Sequence, residues 1–347
     1  MNLIKRLLLP LVLLVSVTMT QAQVTVYVDP VKGNDTYDGQ QASPVKTFKQ
    51  AVKMISDSGG TMHLALNSIF AEPMQWLGHD DTAPVTVMGN AATIDLGTDI
   101  SAGPWIPDGD GYIYAKPVPR HVGNAPWQMA NVYINNQPIT AYDPRFGKAP
   151  KPGQLQHLPE DRLRIVLPQG LSISDAKIIL NPDYKTSCVA IRRGNITIRD
   201  LNVRHGGNDG FNIHGQNDNV ELRNVTAMFC GDEGISAHGQ TRMNVYDSII
   251  AFNGSQAGGV ADVNQSSTTY TRCASLYNRG HAFYFDKGEH VLTDCLVGFN
   301  AIPWKRMKAD RFTNNNVIEM TDDKPLENLP WQMEQLYKQC QALRQAE

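Results

Sequence analysis

Cysteine is scarce and scattered in this chain of 347 residues. The five thiols, Cys188, Cys230, Cys273, Cys295 and Cys340, form no CxxC pair, which excludes the usual structural zinc site. They are also too few and too widely spaced for a disulfide scaffold. An excess of one charge is missing too: 31 basic and 34 acidic side chains leave a formal net charge of -3, which excludes a strongly basic nucleic-acid binder. Long apolar runs are limited to one. Lys5 and Arg6 precede an apolar stretch from Leu7 to Val17 that Pro10 interrupts, and Thr20-Gln21-Ala22 follows as a small-residue cleavage site. The stretch is shorter than the roughly 20 residues a spanning helix needs. Residues 1–22 are therefore expected to be a secretory signal peptide, and the mature chain to be secreted or periplasmic, without stable membrane insertion.

Helical periodicity is lacking as well between Gly194 and Asn316, where glycine, asparagine and aspartate are plentiful. What fills this region is a repeat. Asp209-Gly-Phe-Asn-Ile-His-Gly215 returns as Glu233-Gly-Ile-Ser-Ala-His-Gly239, and their glycines Gly210 and Gly234 are 234 − 210 = 24 residues apart. Looser copies follow at Gly259–Val263 and Ala282–Asp286. A second strand recurs between them, at Ile196–Val203, Val220–Val225, Met243–Ile249, Thr269–Cys273 and Val291–Cys295. A third register places an aromatic before an asparagine or a cysteine, at Phe229-Cys230, Phe252-Asn253, Tyr277-Asn278 and Phe299-Asn300. If each unit is one coil, equivalent residues stack about 4.8 Å apart. Aromatics are then expected to pile inside the core, and asparagines to bond along the stack at a turn that needs a left-handed residue. His205 falls near the aromatic register and reads as a stack member, and Cys273 with Cys295 as stacked small core residues. A leucine-rich repeat is excluded by the missing leucine-and-asparagine consensus, and a β-propeller by the short unit. Stacked coils bury the continuous face that one coil cannot.

The expected fold is therefore all-β: a right-handed parallel β-helix, a solenoid, as a single domain over residues 23–347. Its parts are an N-terminal cap and first coil (24–100), a β-rich insertion (101–186), the main coils (187–318) and a short C-terminal helix (325–347). Phe48, Val52 and Ile55 share one face of a helix that would cover the open end of the stack.

The opening Tyr27-Val-Asp-Pro-Val-Lys-Gly-Asn-Asp35, Ser43-Pro44 and Lys46-Thr-Phe-Lys-Gln-Ala51 resembles the entry motif of secreted bacterial right-handed β-helix proteins, the pectate-lyase-like superfamily. That resemblance, with the repeats, covers most of the mature chain and implies polysaccharide lyases, glycoside hydrolases or uncharacterised members. The paired aspartates with Gly-His-Gly and Arg-x-Lys of polygalacturonases are absent, as is the Asp-Pro-His of mannuronan epimerases. Fold alone does not assign chemistry.

Alternation along the strand sends Phe211 and Ile213 inward and Asn212 and His214 outward; one coil on, Ser236 and His238 point out. Two stacked imidazoles repel when both are protonated, so at least one should be neutral and able to accept a proton. Tyr284 aligns with Asn212 and Ser236, and Asp286 with the histidines. Asp209 and the Asp232-Glu233 pair sit at the turn entering the strand, where clustered carboxylates suit calcium or acid–base work, though acids are also simply good turn residues. Asp262 falls in an inward register, so either the register slips or a buried acid has a partner. Arg279, His281, Lys287, Lys305 and Arg306 follow on later coils and would attract an anionic sugar.

The leading expectation is a lyase acting on an acidic, uronate-containing polysaccharide. His214 or His238 would be the base and Tyr284 the acid, with Asp262 a further catalytic candidate. Asp209, Glu233 and Asp262 would hold calcium. The alternatives are a glycoside hydrolase using a carboxylate pair, and a non-catalytic glycan-binding surface protein. A polysaccharide is the expected partner, nucleic acid is not, and the chain is expected to be a monomer.

Overall fold

The computed structural model describes residues 24–77, 83–118, 132–142, 149–254, 257–302, 308–320 and 338. The expected signal peptide, Cys340, Lys305, Arg306 and nearly all of the expected C-terminal helix lie outside the described residues. Among the described residues no helix is long and apolar enough to cross a membrane.

The chain winds as a parallel β-helix whose coils carry strands on three faces. Strands Val24–Val28, Gly60–Leu64, Val220–Arg223, Arg242–Tyr246 and Ser267–Thr271 stand on the first face, sheet I. Ile69–Phe70, Thr226–Met228, Ile249–Ala251 and Ala274–Leu276 stand on the second, sheet II. The long strands Val85–Asp95, Ile196–Arg204, Glu289–Gly298 and Arg311–Met320 bend at the corner and run through both, joining them into one 13-stranded sheet. Sheet III has six parallel strands in the order Phe283–Phe285, Val260–Asp262, Ile235–Gly239, Phe211–Gly215, Val189–Ile191, Met74–Trp76. The lumen is filled by inward residues of all three, among them Val203, Phe211, Ile213, Leu222, Ile235 and Val245, all but fully buried.

The corners explain the period. Between sheets I and II one residue per coil takes a left-handed conformation: Asp200, Asn224, Asp247, Arg272, Asp294 and Asn316, with φ between 50° and 67°. Between sheets II and III the left-handed residue is His205, Phe229, Phe252, Tyr277 and Phe299. So the aromatics, not the asparagines, make this turn. Their rings do stack, at centroid spacings of 5.5, 5.3, 5.2 and 4.7 Å, but outside the lumen. There they join Met228, Ile249 and Leu276 on the outer side of sheet II in a separate apolar cluster. The left-handed backbone swings the ring outward, and offset stacking at about 0.5–1.5 kcal/mol per pair offsets the roughly 1–2 kcal/mol strain of that conformation.

The asparagines turn inward and bond along the axis as expected. Asn253 Oδ1 accepts from Cys230 N at 3.0 Å, Asn278 Oδ1 from Asn253 N at 3.0 Å, and Asn300 Oδ1 from Asn278 N at 2.9 Å. Glycine is required next to this ladder: a Cβ on Gly234 would fall 2.4 Å from Ile250 Cγ2, and one on Gly259 2.3 Å from Ser275 Oγ. The four described thiols, Cys188, Cys230, Cys273 and Cys295, are buried and free.

At the N-terminal end, helix Phe48–Ile55 is capped by the Thr47 side chain, which accepts from Gln50 N. It buries Phe48, Ala51 and Ile55 in the lumen core, with Val52 packed partly against it. The chain leaves the helix after Asp95, at the corner between sheets II and III, and builds an eight-stranded sheet from Thr98–Asp99 to Ile178–Leu180. This sheet has its own core of residues such as Val132, Leu155, Leu163 and Ile178. It docks on the aromatic ladder through Tyr133 and Ile179, and the Tyr133 hydroxyl donates to Cys230 O at 2.7 Å.

Asn278 is nearly fully buried and bonds on both sides along the stack. Replacing it with alanine orphans groups in two neighbouring coils, so Asn278→Ala should lower unfolding stability by about 2–4 kcal/mol. Asn224→Gly, at an exposed left-handed corner, should change it by less than about 1 kcal/mol. Denaturant melts of both variants check the contrast.

Candidate functional site

Sheet III presents its outer face as three parallel ladders. Asn212, Ser236, Ala261 and Tyr284 are in register in the middle. His214 pairs with His238 toward the C-terminal ends of the strands. Asp209 and Glu233 stand at the N-terminal ends, where Gly210 N bonds Glu233 O. Strand alternation thus brings His214 and His238 together, with ring centroids 4.2 Å apart and planes 12° from parallel. Burial, then the charge of Arg192, lowers the His214 pKa. For His238, burial, then the charges of His214 and Arg192, outweigh a hydrogen bond to Asn264 and bring it down to about 4. Both imidazoles are therefore neutral near pH 7. His238 Nε2 is engaged with Ser236 Oγ. The His214 side chain makes no hydrogen bond among the described residues and is exposed, so its lone pair is available.

The carboxylates of Asp209, Asp232 and Glu233 each offer an oxygen within 4.8 Å of the others. Asp209 and Glu233 are buried. Asp209 Oδ2 accepts from Asn212 Nδ2, and Asp209 Oδ1 from Glu233 N at 3.3 Å. Burial and then the Asp232 charge push Asp209 up to about 7, against the bonds from Asn212 and Glu233. Oxygens bound to one calcium at 2.3–2.6 Å lie no more than about 5 Å apart, so the spacing and the all-oxygen donor set fit a hard divalent cation. Asp232, expected at this turn beside Glu233, takes the third place in the cluster, the place expected of Asp262.

Arg192 is a candidate site residue that the sequence reading missed. It follows Ile191, which pairs with Ile213, so it precedes His214 on the same ladder. Its Nη1 donates to Asn212 Oδ1 at 2.9 Å and to Ile191 O at 3.1 Å. Extending the repeat one coil backward, 214 − 192 = 22 residues, would have found it.

Two expected site residues stand elsewhere. Asp262 does not join Asp209 and Glu233: it is in register with Ala237 and Phe285 and lies in the lumen, fully buried. The register holds and the acid has partners, with Thr268 Oγ1 at 2.7 Å, Tyr270 OH at 2.9 Å and Ala237 N at 3.1 Å donating to it. Neither a metal nor a substrate on the outer face reaches it. Tyr284 does share the outer face, yet it stands two strands beyond Ser236, about 10 Å away at 4.8 Å per strand, beside His281. That is too far to protonate an oxygen on the sugar that His214 touches. Asp286 follows Phe285, the partner of Asp262, and so keeps the histidine register. His205 is a ladder member, stacked on Phe229.

Residues 168–322 match the family described as "Right handed beta helix region". The structure of XylC in complex with xylose superposes with a TM-score of 0.53 at 11% identity, over 86% of this chain and 67% of XylC. This protein has the right-handed parallel β-helix fold. Pectate lyase Pel9A gives a TM-score of 0.46 at 12% identity, over 81% of this β-helix and 55% of the lyase. The GH136 lacto-N-biosidase from Eubacterium ramulus gives 0.34 at 10%, over 85% and 56%. No curated protein matches the sequence. At these identities the likeness is one of fold.

Asp262 gives the β-helix a pH signature. Burial, opposed by the Thr268, Tyr270 and Ala237 bonds, raises its pKa from 3.8 to about 7. A raised acid stabilises the fold fully below its unfolded pKa and loses that contribution as pH rises through the folded one. Asp262→Asn keeps the neutral shape, so its melting temperature should gain on the parent's between about pH 4 and about pH 8. A difference that stays flat across that range would contradict a protonated Asp262.

Proposed function

We propose that this β-helix is a carbohydrate-active enzyme and that the outer face of sheet III is its active site. The reading supported best is β-elimination on an acidic polysaccharide. The observation that carries it is a neutral imidazole, His214, with no side-chain hydrogen bond among the described residues, stacked on a second neutral imidazole on a face that carries a three-carboxylate cluster at the other end of its strands. Elimination needs a base for the proton at C5, and His214 is placed to accept it. His238 beneath it, held by Ser236, disfavours a second positive charge and fixes the ring. Burial, reinforced by the Arg192 charge, keeps both imidazoles neutral, and Arg192 orients Asn212. A divalent cation held by Asp209, Asp232 and Glu233 would bind a carboxylate of the same polymer further along the face. XylC, a chain of this fold, is named in complex with xylose, which is compatible with a sugar on such a face.

Hydrolysis by a carboxylate pair has less support. The two carboxyls of glycosidases are at least about 5 Å apart across an open bond, whereas Asp209 and Glu233 are adjacent, buried and joined through Asp209 Oδ1 and Glu233 N.

Incubation with a panel of uronate-containing glycans, with calcium and with a chelator, should generate unsaturated-product absorbance that calcium increases. His214→Ala should reduce that rate by about 10²–10⁴-fold while glycan binding persists. Reducing ends without absorbance would indicate hydrolysis. Binding without turnover in the parent would make the face a non-catalytic glycan surface.

A further inference from the structure

The aromatic ladder outside sheet II changes character at one rung. Phe299, Tyr277, Phe252 and Phe229 are carbocyclic, and the rung at the N-terminal end is His205, in the same left-handed corner. A phenylalanine would fill that rung and leave nothing unsatisfied. The imidazole instead brings two nitrogens into a place that is 5% exposed. Nδ1 lies 2.8 Å from Asp95 Oδ1. Nε2 is buried and has no hydrogen-bond partner among the described residues. An unpaired buried nitrogen carries a penalty of about 1–3 kcal/mol, and buried polar groups without a partner in the chain point to one outside it.

A cavity of about 270 Å³ adjoins this rung, in the seam between sheet II and the insertion. His205, Arg204, Lys177, Asp95, Met228 and Phe229 are among its lining residues. The acids there are already committed. Asp95 accepts from Arg204 Nε at 2.8 Å and from Gly97 N at 3.1 Å in addition to its His205 contact. Burial alone would raise Asp95, but the His205 bond and the His205 and Arg204 charges bring it down to about 2. Asp99 accepts from the backbone and hydroxyl of Ser101. The cations are not committed in the same way. Arg204 uses only Nε, and neither its Nη groups nor Lys177 Nζ makes a hydrogen bond among the described residues. They come from different parts of the fold, Arg204 from the end of strand Ile196–Arg204 and Lys177 from the residue before Ile178–Leu180.

The cavity therefore combines spare cationic donors, one nitrogen that lacks a partner, and an apolar wall of Met228 and Phe229. We propose that it is a second ligand site, in which Arg204 and Lys177 take the carboxylate of a small polyhydroxy acid, such as a hexuronic acid, and His205 Nε2 takes one of its hydroxyls. A hydroxyl suits Nε2 in either protonation state, because it donates to a neutral imidazole and accepts from a charged one. A carboxylate suits the free guanidinium edge. The site lies on a different face from the His214 and His238 pair and stands whether or not that pair is catalytic.

The test is an NMR titration of the histidine side chains in the full chain with galacturonate and glucuronate, with galactose and acetate as controls. The His205 resonance should move saturably with the hexuronates. Galactose and acetate should bind at least about tenfold more weakly, and combining Arg204→Met with Lys177→Met should weaken hexuronate binding by at least about tenfold. His205→Phe, which the neighbouring rungs show to be an acceptable shape, should fold and lose the same binding in calorimetry. An unmoved His205 resonance, shifts confined to His214 and His238, or full hexuronate binding in His205→Phe would each overturn the proposal.

Discussion

In-register parallel stacking is the constraint on which the rest of this molecule depends. Each side chain meets its own counterpart one coil above and below, at the spacing of adjacent strands. A residue type that interacts well with itself is therefore stabilised repeatedly, and one that repels itself is penalised repeatedly. Asparagine, with both donor and acceptor, makes the internal ladder of Asn253, Asn278 and Asn300. Flat rings make the external one from His205 to Phe299. Stability of such an array resides in nearest-neighbour interfaces, and the corner residues set where those interfaces fall.

The same constraint shapes the candidate chemistry. Acids and imidazoles that would repel in open solvent are held one strand apart on the outer face of sheet III, and their protonation adjusts instead. His214 and His238 stay neutral near pH 7, while burial and the Asp232 charge raise Asp209. A polar group inside the lumen meets the opposite demand: Asp262 is tolerated only because Thr268, Tyr270 and a backbone amide converge on it. The insertion leaves at the corner between sheets II and III, where no strand pairing is interrupted, and its Tyr133 and Ile179 cover the aromatic ladder. That corner lies between the sheet III face and the seam at His205.

Much of the architecture was legible because a period is a one-dimensional signal. Gly210 and Gly234, the alternation of Phe211, Asn212, Ile213 and His214, and the recurrence of aromatic before asparagine specify coil, register and face. Pairing of His214 with His238, and alignment of Tyr284 with Ser236, followed from counting. Legibility failed where two assignments share a period. Phe229 and Asn253 both recur at coil length, and which of two adjacent residues carries the left-handed turn is decided by packing on either side of the strand. Arg192 went unseen because its coil is entered from the insertion and lacks the Asp-Gly signature of the later ones.

The sequence by itself determined a stacked β-coil with a two-histidine, multi-carboxylate face, since strand alternation and a fixed repeat leave those side chains nowhere else to point. Only the tertiary structure decided that Asp262 faces the lumen with partners of its own, and that Tyr284 stands apart from the imidazoles. Counted along sheet III, Tyr284 is two strands from His238 and three from His214; the tertiary structure also decided that Arg192 heads the histidine ladder, and that the insertion closes a seam over His205. The reason is physical: register follows from local periodicity, whereas burial, charge balance and hydrogen-bond satisfaction depend on segments such as Asp95 and His205, which are 205 − 95 = 110 residues apart in the chain and 2.8 Å apart in the fold.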